Sequence, residues 1–113
     1  MVILTQAGIE IRDAVANTIL TGQYGSDGTT ESSGDTGLGT PIAATQLNVS
    51  KRSAGLTTEF THDLNSVTGN GNTLREFALE TALQAFNRAT TTDLVKDNTK
   101  EVVTGVVLFT SIN

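Results

Sequence analysis

The chain has 113 residues, a formal net charge of −5 and 37% apolar residues, which suit one domain and leave little room for a second. It has no cysteine and one histidine, which excludes disulfides, thiol chemistry and most transition-metal sites. The acidic balance argues against a protein that mainly binds phosphates, and neither a membrane-spanning apolar run nor a secretory signal is visible. Twenty threonines, eleven glycines and few aromatics favour a β-rich scaffold over an enzyme.

Residues 7–20 are predicted to form an amphipathic helix. Their apolar residues recur at steps of three and four, which is the spacing of one helix face. Thr5 precedes the segment as an N-cap, and Gly22 follows it as a C-terminal stop. Because the opposite face is polar, we expect this helix to cover a sheet with its apolar side.

A long loop is predicted over residues 21–44, with room for one short strand. The segment holds six glycines and Pro41, and it lacks apolar periodicity. Its acids Asp27, Glu31 and Asp35 are weak candidates for calcium ligands, since hard cations prefer several oxygen ligands on a flexible loop. The spacing is not that of an EF-hand, so a solvated surface loop is favoured, and no metal or cofactor site is predicted.

The remainder, residues 46–113, is predicted to be β-rich, with four to six antiparallel strands. Apolar and polar residues alternate around Leu47–Lys51 and again around Leu56–His62, so a hairpin is expected across Arg52–Gly55. The sequence Gly-Asn-Gly-Asn at Gly69–Asn72 is typical of a tight turn.

Two segments decide how the strands are counted. Leu74–Asn87 fits a helical period as well as two strands, and the pattern alone leaves both interpretations open. Residues 101–112 form the clearest strand because they are almost continuously apolar, and we expect burial on both faces or in a subunit contact. The predicted fold class is α+β in one domain, 1–113: an N-terminal amphipathic helix, a long Gly-rich loop, and an antiparallel sheet or sandwich.

Residues able to support catalysis are few. His62-Asp63 and the many serines lack the nucleophile-elbow context of a catalytic triad, so a surface or strand-end histidine is favoured. Asp35 and Glu76 are the carboxylates that a hydrolase would pair, but nothing in the sequence shows them converging. No catalytic residue is therefore predicted.

The cations Lys51, Arg52 and Arg75 are too few to make a nucleic-acid surface in an acidic chain without interleaved aromatics. Neither nucleic acid nor a membrane is a predicted partner. We expect these cations to pair with nearby carboxylates, such as Glu59, Glu76 and Glu80.

Several segments carry a resemblance to a known family. They are Leu4–Gly8, Gly34–Thr40 leading into Ala43–Leu47, Asn70–Glu80, and Asn87–Thr92 followed by Leu94–Asp97 and a closing apolar strand. In this order they resemble small structural proteins of tailed phages, akin to the N-terminal domain of tail-collar and tail-fibre proteins. The resemblance implies strands, not a helix, for residues 73–80 and 83–92, and it implies no chemistry.

The resemblance further implies a non-enzymatic virion protein that assembles with itself, a trimer being favoured, and with other virion proteins. Its expected place is the tail, baseplate, neck or fibre-attachment apparatus, and a capsid decoration protein is the alternative. Because the chain stops at Asn113, we expect a free-standing component, and deleting residues 22–40 should spare the fold but weaken assembly. The interface candidates are residues of the loop and the final strand: Tyr24, Asp35, Leu38, Pro41, Val103, Val107 and Phe109.

Two other classes of function stay open at this point. A small host-recognition module would bind carbohydrate on an exposed aromatic platform or calcium on the acidic loop, and Tyr24 is the one aromatic residue of residues 21–44. A hydrolase would need Asp35 and Glu76 to converge in environments that separate their pKa values.

Overall fold

The computed structural model describes residues 17–54 and 57–109. These residues form seven strands in two antiparallel sheets, with a single 3-10 turn at Ala43–Thr45. None of the helices in this described part is long and apolar enough to cross a membrane. The strands are β1 Ile19–Gly25, β2 Leu47–Asn48, β3 Ser50–Ala54, β4 Thr57–Leu64, β5 Thr73–Thr81, β6 Ala89–Val95 and β7 Val102–Phe109.

The two sheets enclose one core. The four-stranded sheet has the order β2-β1-β5-β6, and the three-stranded sheet has the order β3-β4-β7. Strand β4 alternates buried and more exposed residues along its length, as expected for a strand with one face on a core. The predicted antiparallel, β-rich architecture is confirmed. The core cluster of buried side chains consists of Ile19, Tyr24, Phe60, Leu64, Leu74, Phe77 and Leu79.

The helix predicted over residues 7–20 is wrong at its end. Asn17 and Thr18 are helical, but Ile19 begins β1, and residues 7–16 lie outside the described residues. Tertiary packing overrides the helical spacing here, because Ile19 is buried in the core and β1 pairs with β5 over its whole length.

Gly22 is not a helix stop but a central residue of β1. A Cβ atom built on Gly22 would lie 2.9 Å from His62 Cδ2 and 2.9 Å from Phe77 Cζ. The missing side chain therefore lets two rings from different sheets pack against the β1 backbone.

The loop predicted over residues 21–44 is shorter than expected, because β1 occupies its first five residues. Gly25 also bridges to Pro41, so both ends of the remaining loop lie side by side. We call residues 26–40 the covering loop. Deletion of residues 22–40 would remove the second half of β1, so the expectation that this segment is dispensable for the fold is wrong.

Leu74–Asn87 is not a helix. Residues 73–81 form β5, the second strand of this region begins only at Ala89, and Leu83 lies in the turn between them with 95% of its surface exposed. The turn predicted at Gly69–Asn72 is present, and both Gly69 and Gly71 have positive φ angles.

Strand β7 is not buried on both faces. Val103 is 60% exposed and Val107 is 42% exposed, whereas Val102 and Val106 pack against the core. Because β7 has only β4 as a neighbour in the sheet order, its other edge is open in the described part of the chain.

Candidate functional site

The Glu76 carboxylate lies at the centre of a dense cluster of polar contacts. Glu76 lies in β5 opposite Gly25 of β1, and its side chain is fully buried. Its Oε1 accepts hydrogen bonds from Gly39 N (2.8 Å) and Arg88 Nε (2.8 Å). Its Oε2 accepts from Asp27 N (3.0 Å) and Thr40 N (2.9 Å). Four donors on two oxygens satisfy this buried charge and hold both ends of the covering loop on the sheet.

Arg88 donates to the same carboxylate and to three further acceptors. Its side chain is only 5% exposed, although it lies in the connection before β6. Besides Glu76, it donates from Nη1 to Asp35 Oδ2 (3.1 Å) and from Nη2 to the carbonyls of Asp27 (3.2 Å) and Thr29 (2.9 Å). One guanidinium therefore ties the covering loop to both β5 and the segment that precedes β6.

The electrostatics of the cluster keep Glu76 ionised. Burial alone would raise the pKa of Glu76, but hydrogen bonds from Thr40, Arg88, Gly39 and Asp27 outweigh burial and hold the pKa below its usual range. Each oxygen already has two donors, so this carboxylate has no geometry for acid–base work on a substrate.

A glycine makes this arrangement possible. A Cβ atom on Gly25 would collide with Glu76 Oε2 and lie 2.6 Å from the Thr40 carbonyl oxygen. The Gly-rich composition of the segment thus has a specific cause at Gly25, where the loop backbone and a buried carboxylate approach the strand closely.

The three calcium candidates do not converge on an empty site. Asp35 and Asp27 both face the Arg88 guanidinium, with Asp27 Oδ2 3.9 Å from Nη2. Glu31 accepts a 2.6 Å hydrogen bond from Thr90 Oγ1 instead. Within residues 17–54 and 57–109, no group of three or more His, Cys, Asp or Glu side chains is arranged to hold a metal ion.

A cleft of about 280 Å³ opens between the covering loop and the connection before β6. Its walls carry Phe86, which is 41% exposed, and the acidic residues Glu31 and Asp35. Asp35 and Glu76 do converge, but on one arginine. The hydrolase hypothesis predicted two carboxylates of separated pKa facing a substrate, and the geometry provides an ion-pair network in its place.

His62 is neither at the surface nor at a strand end, so that prediction is wrong. It is fully buried in the middle of β4, and its Nε2 lies 2.8 Å from the Thr45 carbonyl oxygen. Its ring packs edge-on against Tyr24 and Phe77, with centroid distances of 5.7 and 5.3 Å. Its Nδ1 is buried without a hydrogen-bond partner in the described part of the molecule. Burial lowers the pKa of His62. Desolvation therefore favours the neutral imidazole, and this burial depends on packing between the two sheets, which periodicity cannot reveal.

Tyr24 is wrong as an interface candidate. It is 5% exposed, and its hydroxyl hydrogen-bonds to Thr104 Oγ1. Burial raises the pKa of Tyr24. Its ring centroid lies 4.9 Å from that of Phe77, so the ring is part of the core. It therefore offers no exposed aromatic platform to a sugar.

The other interface candidates lie in different places. Asp35 is held in the Arg88 cluster, Leu38 is half-buried and Pro41 is exposed beside Gly25. Val103 and Val107 lie together on the outer face of β7, and Phe109 ends that strand opposite Thr57. The structure thus brings together only the candidates of the final strand.

The surroundings of the three cations match the prediction for Arg52 but not for Arg75. Arg75 Nε lies 3.2 Å from Asp93 Oδ1, not beside Glu76 or Glu80. Arg52 lies opposite Glu59 on the neighbouring strand, and Lys51 Nζ donates to Asn17 Oδ1 (3.3 Å).

Sequence reasoning missed Arg88 and Lys96. Both side chains are buried, which is rare for cations and leaves no periodic signal. The available clue for Arg88 was the surplus of loop acids, since a buried network needs a counter-charge.

Comparisons of the chain with protein-family models, with curated proteins and with solved structures found no match.

Proposed function

We propose that this chain is a non-enzymatic structural subunit of a tailed-virus particle, which assembles with itself through the open edge and outer face of β7. A homotrimer is the favoured assembly, with other virion proteins as further partners. The tail, baseplate, neck or fibre-attachment apparatus is the proposed place, and a decoration protein of the capsid surface is the alternative.

The character of the β7 edge carries this proposal. Eight consecutive residues pair with β4 in unbroken register, and none of them is charged or a proline. Val103 and Val107 expose apolar surface on the outer face of the same strand. Free proteins normally protect long apolar edges with charges, prolines, bulges or a cover. An edge without these devices is suited to pairing with another chain.

The other strand edges are protected in ways that β7 is not. Strand β3 carries Lys51 and Arg52, both exposed, and β6 carries Asp93 in an ion pair with Arg75. Strand β2 has only two residues. The contrast supports β7 as the assembly edge, because the same chain protects its remaining edges against unwanted pairing.

The polar cluster around Glu76 supports a structural role in a second way. Its hydrogen bonds connect residues of the covering loop to β5 and to Arg88, so the loop has a defined shape on the sheet. A fixed loop surface suits repeated contacts in an assembly. The resemblance of the sequence segments to tailed-phage structural proteins supports the proposal of a virion as the location.

The direct test is mass spectrometry of purified virions from the virus that carries this gene. The proposal predicts the chain as a stoichiometric component that survives removal of loosely bound protein by gradient purification. A non-structural protein from the same infected cells is the control. Presence in infected cells combined with absence from the purified particles would overturn the proposal.

A further inference from the structure

Lys96 is a fully buried lysine, which is rare in folded proteins. Its side chain is fully buried directly after β6. Its Nζ donates to Asn70 Oδ1 (2.7 Å) and to the carbonyl oxygen of Asp97 (3.1 Å). Both acceptors are neutral, so the ammonium is bonded but its charge is not balanced by them.

No carboxylate in the described part of the chain lies within ion-pair distance of Lys96. The adjacent Asp97 carboxylate is engaged elsewhere, with Lys100 Nζ at 3.0 Å and with Thr99. A buried cation without an anion is costly, and an anion introduced at one of its acceptors would relieve that cost.

Asn70 is the acceptor that ordinary chemistry can convert into an anion. Asn70-Gly71 is the one Asn-Gly dipeptide in the sequence, and it lies in an exposed turn. A glycine after asparagine leaves the peptide nitrogen unhindered, which makes such pairs the most prone to deamidation. We infer that Asn70 is a self-modification site, which Lys96 activates for deamidation and whose carboxylate product then pairs with Lys96.

The reaction needs only water as co-reactant. Gly71 N gives up its proton to water and attacks Asn70 Cγ, and the Cγ–Nδ2 bond breaks so that ammonia leaves with a proton from water. Water then adds to the cyclic imide and opens it to a carboxylate, in the aspartyl or isoaspartyl form. Negative charge develops on Oδ1 during the attack. The Lys96 ammonium already donates to that atom over 2.7 Å, as an oxyanion-stabilising group does.

Local hydrogen bonds define what must move. Gly71 N donates to the Lys96 carbonyl oxygen (2.9 Å), and Asn70 Nδ2 donates to the Ser66 carbonyl oxygen (2.9 Å). The first bond must open before the attack, and loss of ammonia removes the second. The Lys96 Nζ contact survives both steps, so the product carboxylate forms beside the buried ammonium.

Stability measurements on the full-length chain test the product. Asn70→Asp should raise the midpoint of thermal unfolding, and the rise should disappear in the Lys96→Met background. Asn98→Asp, in the exposed turn that follows Lys96, is the matched control and should leave the midpoint unchanged. An Asn70→Asp variant that is no more stable than the parent would overturn the inference.

Peptide mapping of the purified protein during storage at neutral pH tests the reaction. Aspartyl plus isoaspartyl product at position 70 should accumulate several-fold faster in the folded parent than in the folded Lys96→Met variant, and this difference should disappear when both chains are unfolded in urea. Two results would overturn the inference. One is the absence of conversion at position 70, and the other is a covalent bond between Lys96 Nζ and Asn70 Cγ, formed with loss of ammonia.

Discussion

Arg88 Nε donates a 2.8 Å hydrogen bond to Glu76 Oε1, and neither side chain is more than 5% exposed. The two residues lie on either side of the exposed turn after β5. Their pairing fixes that turn and the covering loop on the same face of the four-stranded sheet. Buried ion pairs add little over an apolar replacement, but loss of one partner leaves an uncompensated charge.

Glu76→Gln should therefore destabilise the fold strongly. The amide group would direct N–H donors at the backbone N–H groups of Gly39 or Thr40 and leave Arg88 without its buried counter-charge. We expect a loss of about 3–5 kcal/mol in the free energy of unfolding, measured by urea titration. Glu59→Gln on the exposed face of β4 is the control, with a change within about 0.5 kcal/mol. Equal stability of the two variants would contradict this account of the cluster.

Stability should fall as the pH is lowered below the ordinary His62 pKa of 6.5, because burial depresses the pKa of the folded form. The unfolded chain then binds a proton that the folded chain refuses, so acid favours unfolding. The loss should approach about 1.4 kcal/mol per pH unit until the pH reaches the folded pKa. Tyr24, Asp63 and Glu80 are the other titratable groups near the ring, and burial raises the pKa of Tyr24, so its hydroxyl stays neutral throughout this window.

The measurement is urea unfolding of the parent and of His62→Gln at several pH values between 7.5 and 5. The parent should lose stability with acid, and the variant should show a flatter dependence, whatever its absolute stability. A second fall in stability is expected in both proteins below about pH 4.5. The unfolded chain then binds a proton at Glu76, whereas the lowered pKa of the folded chain opposes this protonation. Parallel pH profiles between 7.5 and 5 would contradict the buried, neutral histidine.

Alanine should destabilise the fold at one strand glycine, Gly22, and leave it almost unchanged at another, Gly105. In Gly22→Ala the new Cβ would lie 2.9 Å from both His62 and Phe77, and overpacking of this kind costs about 1–3 kcal/mol. In Gly105→Ala nothing lies within 4 Å of the new atom, so the change should stay within about 0.5 kcal/mol. Thermal and urea unfolding of both variants check this, and equal losses would show that β1 does not approach the two rings as described.

Calcium should leave the melting temperature of the chain unchanged. Asp27 and Asp35 face Arg88 and Glu31 bonds to Thr90, so a cation entering among them would have to displace a guanidinium. Thermal scans over a range of calcium concentrations check this, with magnesium at equal ionic strength as the control. A saturable rise specific to calcium would mean that the loop binds the ion.

The sequence predicted the strands best where alternation and turn chemistry agree. The hairpin of β3 and β4 follows from period-two alternation, and the Gly69–Asn72 turn from glycines suited to positive φ. Strand β7 follows from its almost continuous apolar run. The helix prediction extended too far because the spacing of Ile19 matches both a helix face and a buried strand start. Pairing with β5, a contact between distant residues, decides between the two.

The polar cluster around Glu76 and Arg88 could not be predicted from sequence patterns, for a different reason. Asp27, Asp35, Glu76 and Arg88 belong to separate segments, and only the folded loop brings them together. The sequence indicated a loop rich in glycines and acids. Which cation neutralises those acids depends on tertiary packing, and composition alone favoured a solvated loop.

The solution mass of the purified chain tests the central claim, assembly through β7, most directly. Native mass spectrometry over a range of concentrations should show a closed homo-oligomer, with a trimer favoured. Val103→Lys and Val107→Lys should shift it to monomer, because each places a charge on the apolar outer face of β7. Val67→Lys, at a position 75% exposed in a turn outside β7, should leave the oligomer intact. A monomer at every concentration, or an oligomer that all three variants preserve, would contradict the account.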